Sequence, residues 1–264
     1  MSSFSASETY ESLVGKWSEM IARDFVKWVP VPRGSAVLDV GCGTGALSRV
    51  LLGHGAGQVT GVDPSPSFVE YARARSQGDA RKVSFQTGDT MSLALPDASF
   101  DAVVSGLVLN FIPDPAKGLH EMVRVARVGG VVAAYVWDYQ EKMELSRRFW
   151  DAAKSVDASA EAHDEGRRFV VCRPESLRAL FLKAGLEDVA SGSLETEMEF
   201  NDFNECWSLL LKAQGPFAAF FAKLDDRKRE LVRSRFQRSL RTDNNGRIRM
   251  NARAWTVKGT RLLL

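Results

Sequence analysis

Ala36-Val37-Leu38-Asp39-Val40-Gly41-Cys42-Gly43-Thr44-Gly45-Ala46-Leu47 is the stretch from which the architecture of this chain is read. Its opening residues, Ala36 to Val40, are almost all apolar, the pattern of a strand buried on both faces. Gly41, Gly43 and Gly45 carry no Cβ, so the backbone can turn sharply and come close to a ligand. Leu47, Val50 and Leu51 then recur at helical spacing. Strand, glycine turn and helix follow one another.

The same rhythm continues downstream. Residues 58–62 read as a strand that stops at Asp63-Pro64-Ser65, and Pro66 opens a helix to Ser76. Strands are expected at 82–86, 100–105 and 130–137, with a helix at 116–125. Fully apolar strands alternating with helices predict a doubly wound parallel α/β sheet covered on both faces. Upstream, Leu13, Trp17, Met20, Ile21, Phe25 and Trp28 mark one face of a helix closed by Pro30 and Pro32. Past Asp138 the alternation breaks. Helices are expected at 144–157 and 174–184, a sixth strand at 187–200, a helical insertion at 203–240, and a last strand at 247–257 antiparallel to the sixth.

Composition narrows the function classes. The 264 residues suit one large domain, and 35 basic against 33 acidic side chains give a formal charge of +2. Net charge therefore implies no polyanionic partner. The longest uncharged runs, at 102–113 and 128–137, fall short of the roughly 18 apolar residues that span a bilayer. Residues 1–10 lack a basic start and an apolar run, so a cytoplasmic location is the default expectation. Cys42, Cys172 and Cys206, and His54, His120 and His163, show no metal-ligand spacing. No metal is expected.

Asp39 precedes the glycine turn, and Asp63 ends the next strand 22 positions after Gly41, where a carboxylate can accept from a ribose diol. A packing turn with two capping aspartates would show the same residues. Gly41-x-Gly43-x-x-Ala46 also fits the dinucleotide fingerprint. A carboxylate beside the turn would repel a pyrophosphate and attract a cationic sulfonium amino acid. S-adenosylmethionine is the favoured cofactor on that ground.

The run Val37 to Gly45, then Val59-Thr60-Gly61-Val62-Asp63-Pro64-Ser65, then Gly88-Asp89 ahead of Leu95-Pro96-Asp97-Ala98-Ser99-Phe100-Asp101, closely resembles the class I S-adenosylmethionine-dependent methyltransferases. The likeness spans residues 36–140. It is greatest to the small-molecule branch that includes the ubiquinone and menaquinone methyltransferases, with Pro113-Asp114-Pro115 as a further match. The proline usual before Gly129-Gly130 is Val128 here. The resemblance implies a Rossmann-like seven-stranded sheet of order 3-2-1-4-5-7-6, its last strand antiparallel. It also implies a single domain over 1–264: a helical lid at 1–32, a cofactor-binding core at 33–140, and helical caps at 141–168 and 201–240.

Carried over residue by residue, the resemblance puts Gly41, Cys42, Gly43, Thr44 and Gly45 along the methionine and ribose, with Asp39 near the amino group. Asp63, with Pro64 and Ser65, would hold the ribose hydroxyls. Asp89, Thr90 and Met91 would meet the adenine, and Ser105 the methionine end. Lys16 and Trp17 would lid the cofactor, Lys16 standing where the family often has arginine.

The acceptor is a small, lipophilic or aromatic molecule on this reading, met by Tyr10, Trp137, Asp138, Tyr139 and Trp207. Should the reaction need a base, Asp138, Tyr139, His163 and Asp164 are the candidates, none backed by a motif. The basic stretch 223–241 keeps an RNA methyltransferase open, although its apolar residues share one face of a helix. A non-catalytic cofactor-binding module and a nicotinamide-dependent oxidoreductase also stay open. Nucleic acid is the disfavoured partner, and a monomer or homodimer is expected.

Overall fold

The computed structural model describes residues 15–79, 82–212 and 215–262. Seven strands form one sheet: β1 Ala36–Val40, β2 Gln58–Asp63, β3 Val83–Thr87, β4 Phe100–Gly106, β5 Ala126–Trp137, β6 Leu186–Phe200 and β7 Ile248–Arg261. Their order is β3-β2-β1-β4-β5-β7-β6. β1 to β5 run parallel, and β7 lies antiparallel between β5 and β6. This is the expected Rossmann-like order.

The helices are α1 Lys16–Trp28, α2 Ala46–His54, α3 Pro66–Arg75, α4 Pro115–Val125, α5 Glu144–Lys154, α6 Glu165–Arg168, α7 Pro174–Lys183, α8 Phe203–Lys212, α9 Pro216–Phe221 and α10 Asp226–Ser239. Local chemistry sets their ends. Ser65 Oγ accepts from Phe68 N at the start of α3, Asp114 from Ala116 and Lys117 N at α4, and Asp225 from Lys228 N at α10. α3, α4, α7 and α9 each begin with proline, which needs no N–H there.

Each sheet face carries its own core. On one, Val37, Val59, Val104, Ala133 and Tyr135 pack with α1, α2 and the helices after β5; on the other, Leu38, Val40, Val103, Val132 and Val136 pack with α4 and α7. The alternation of these positions along each strand is the pleat itself. α1 lays its apolar stripe on the first face, with the Phe25 ring 4.5 Å from that of Tyr135 and Trp17 5.1 Å from Phe200.

The segments 141–168 and 201–240 pack on one another. Phe149 meets Trp150 at 5.0 Å and Phe217 at 4.9 Å, and Trp207 meets Phe221 at 5.2 Å and Phe236 at 5.7 Å. The expected single helix 144–157 stops at Lys154 and gives way to a 3-10 turn, Ala158–His163. The insertion after β6 divides into α8, α9 and α10.

Candidate functional site

A cavity of about 560 Å³ opens at the carboxyl ends of β1, β2 and β4. In open parallel sheets this is where strand order reverses and ligands bind. The glycine turn makes its floor. Gly41 has φ +75°, and a Cβ there would lie 2.4 Å from a Val108 methyl. The Gly41 and Cys42 amides both donate to the Val62 carbonyl, at 2.7 and 3.0 Å, which ties the turn to β2.

β2 ends in Asp63, whose carboxylate takes two backbone donors: Gly43 N at 2.9 Å and Ser65 N at 2.8 Å. Burial pushes this carboxyl above its usual range, against the pull of those two amides. Each oxygen keeps a lone pair for a further donor.

Asp39 is deeper. One oxygen accepts from Ser48 Oγ at 2.6 Å, while the other, buried, has no hydrogen-bond partner among the described residues. Desolvation, opposed by Ser48 and reinforced by the charge of Asp63, raises the carboxyl to about 7. A buried acceptor without a donor is expensive, so an entering cation with N–H groups would relieve it.

Asp89 is exposed on the opposite rim, where its carboxylate caps Met91 N at 2.8 Å. The charged side chains along the lining are therefore Asp39, Asp63 and Asp89, with no lysine or arginine among the described residues there. The remaining wall is apolar: Met91, Leu107, Val108, Phe111, Ile112 and Pro113.

The lining thus brings together Asp39, Gly41, Cys42, Gly43, Thr44, Asp63, Pro64, Ser65, Asp89, Thr90 and Met91. Gly45 lies just behind, at φ +82° as the N-cap of α2, and Ser105 is buried one residue before Gly106, which does line the cavity. Trp17 turns into the core instead, and its neighbour Ser18 lines the cavity. Tyr10 and the Lys16 side chain lie outside the described residues.

The described residues expected to meet the acceptor or to act as a base lie outside this lining. β5 overshoots β4: Gly106, at the end of β4, pairs with Tyr135, and β5 continues to Trp137 because it pairs with β7. Tyr135 consequently lines the cavity, while Trp137 is buried in the core. Asp138 accepts from Arg253 Nη2 at 2.6 Å and from the Glu141 and Lys142 amides at 3.2 Å. Tyr139 packs on Phe169, and Trp207 belongs to the aromatic layer of α8 and α10. His163 stacks on Trp150 at 6.4 Å, and Asp164 binds Arg147 and caps Gly166 N. None of these expected residues lines the cavity.

Sequence reasoning missed Ser18, Leu107, Val108, Phe111 and Tyr135 in the lining. For Tyr135 a hint existed, since it sits one pleat period before Trp137 on the same face. Leu107 gave no hint: it adopts φ +62°, uncommon for a branched side chain, as its amide reaches the Tyr135 carbonyl at 2.8 Å.

Comparison with known proteins agrees with this fold. A family described as a methyltransferase domain matches residues 38–134. The chain is 36% identical to the 2-methyl-6-phytyl-1,4-hydroquinone methyltransferase of Synechocystis sp. over 121 residues, 46% of this chain but only 38% of that protein. It is 31% identical to the 2-phytyl-1,4-naphtoquinone methyltransferase of Synechococcus elongatus over 189 residues, 63% of this chain and 79% of that protein. Among solved structures, phosphoethanolamine N-methyltransferase 2 of Haemonchus contortus, in complex with phosphomonomethylethanolamine and S-adenosylhomocysteine, superposes with a TM-score of 0.62 at 18% identity, over 98% of this chain and 58% of that one.

Proposed function

This chain belongs to the class I S-adenosylmethionine-dependent methyltransferases, in the branch of the ubiquinone and menaquinone enzymes, and from that membership we propose that it methylates a quinol-type aromatic carrying an apolar tail. The observation that carries the proposal is the lining itself: Asp39 and Asp63 at the deep end, Asp89 on the rim, no lysine or arginine among the described residues there, and an apolar wall at the mouth. A sulfonium amino acid fits the aspartates, and a pyrophosphate would be repelled by them. A lipophilic ring fits the apolar wall.

The cofactor supplies a methyl group made electrophilic by the positive sulfur. On this reading the partnerless Asp39 oxygen receives the methionine ammonium, and Asp63 holds the ribose hydroxyls. Thr90 and Met91 pack along the adenine, with Asp89 at its edge. The work left to the protein is alignment of acceptor, methyl and sulfur in line, with water kept out. Leu107, Val108, Phe111 and Ile112 would orient the acceptor ring by contact, and Tyr135 brings a phenol to the same lining. The names of the relatives, a phytyl hydroquinone and a phytyl naphthoquinone methyltransferase, support a prenyl-type quinol as the acceptor class. Within the basic stretch, Lys228 pairs with Asp157, and Arg229 and Arg235 donate to backbone carbonyls, which favours a small acceptor over RNA.

The test is calorimetric titration with S-adenosylmethionine, S-adenosylhomocysteine and NAD, followed by turnover on short-tailed quinols. Micromolar binding of the first two and methylation of a quinol support the reading; binding of NAD alone, or cofactor binding with no quinol methylated, overturns it.

A further inference from the structure

At the cavity mouth the molecule shows apolar surface that its fold leaves uncovered. Phe111, on the rim, is 63% exposed, and Val170 is 53% exposed, the two highest values among the large apolar side chains of the described residues. They belong to one ridge, because the Phe111 ring rests on that of Phe169 at 5.4 Å and Phe169 adjoins Val170.

Positive charge flanks that ridge. The local sequence is Arg167-Arg168-Phe169-Val170-Val171-Cys172-Arg173. Arg168 lies over the Phe169 ring at 5.3 Å, and neither Arg168 nor Arg173 forms an ion pair among the described residues. Beside them is a second, open cavity of about 390 Å³, in which Arg147, Lys154, Arg167 and Arg173 outnumber Asp164. Asp164 holds Arg147 and Lys154, Glu161 holds Arg167, and exposed Glu175 is the acid next in sequence.

Exposed aromatic and aliphatic side chains bordered by arginines suit one kind of surface, a bilayer with anionic headgroups: the apolar tips enter the acyl boundary and the cations meet phosphates. We propose that the ridge Phe111–Phe169–Val170, with Arg167, Arg168 and Arg173, docks the cavity mouth onto an anionic phospholipid surface, so that a lipophilic acceptor passes from lipid to the site without crossing water. The passage of acceptor rests on the quinol reading given above. The docking itself stands on exposure and charge. It is interfacial, for no helix among the described residues is long and apolar enough to cross a membrane.

The test is co-sedimentation of the full chain with vesicles of phosphatidylcholine alone and of phosphatidylcholine with phosphatidylglycerol. Binding is expected to the mixed vesicles and to fall with added salt. Replacing Arg167 and Arg168 together by serine should weaken partitioning about thirtyfold. Val170→Asp should weaken it roughly tenfold or more, each variant keeping its circular dichroism and its affinity for S-adenosylhomocysteine. Equal binding to both vesicle types, no binding to either, or binding indifferent to both variants overturns the proposal. So does light scattering that shows a dimer dissolved by Val170→Asp without any vesicle association. A titration with inorganic phosphate that saturates the arginines and leaves vesicle binding unchanged would also overturn it. Failure of quinol turnover with vesicle binding intact would sink the acceptor reading alone.

Discussion

Asp39 sits where burial and a neighbouring carboxylate hold its proton to about pH 7. The ionised form is the one that attracts an ammonium group, so affinity for S-adenosylmethionine should rise with pH up to that value. Below it, each pH unit should cost close to tenfold in affinity. Calorimetry between pH 5 and 7 checks this, with Asp39→Asn giving weaker and flat binding. Gly41 makes a second residue-scale prediction. Alanine there meets the Val108 methyls and a φ that costs about 1–2 kcal/mol by itself. Gly41→Ala should lose cofactor affinity by more than tenfold while the sheet persists in circular dichroism.

Among the elements, the corner between β5 and α5 separates structure from chemistry. Asp138 is 2% exposed and its partner Arg253 12% exposed, and the pair binds the turn after β5 to β7. Removing Asp138 leaves the largely buried Arg253 only the exposed Glu141, 2.7 Å away, and takes the acceptor from the Glu141 and Lys142 amides, so Asp138→Ala should destabilise by about 3 kcal/mol in denaturant titrations. Turnover per folded molecule should be nearly unchanged. A fall in kcat of a hundredfold or more would instead make Asp138 a base. The strand registers place this corner: Gly106, at the end of β4, pairs with Tyr135, and pairing with β7 carries β5 two residues further, to Trp137.

At the scale of the whole molecule, aromatic side chains from the helices after β5 extend the core of the first sheet face, and the cavity is walled by the loop after β4. Phe149→Ala should therefore cost about 3–5 kcal/mol of stability without changing the acceptor KM. Phe111→Ala should do the reverse, raising KM several-fold with little change in stability, because that ring is mostly exposed. Steady-state kinetics on the two variants, beside their denaturation midpoints, decides it.

The end of the cavity lined by the glycine turn, Asp39 and Asp63, the proposed cofactor site, was legible from residues 36–91 because its chemistry is local. A strand end, a glycine turn and a helix start are adjacent in sequence, and the carboxylates of Asp39 and Asp63 are fixed by the strands that carry them. The parallel α/β class was legible in the apolar pattern, and the sheet order in what the motif resemblance implies. The acceptor end was not. Whether Trp207, His163 or Tyr135 meets the cavity depends on how far β5 runs past β4, and on aromatic rings from α5, α8, α9 and α10 burying one another. Those are long-range choices. Hydrophobic spacing says that a ring is buried, and only the packed tertiary structure decides against what.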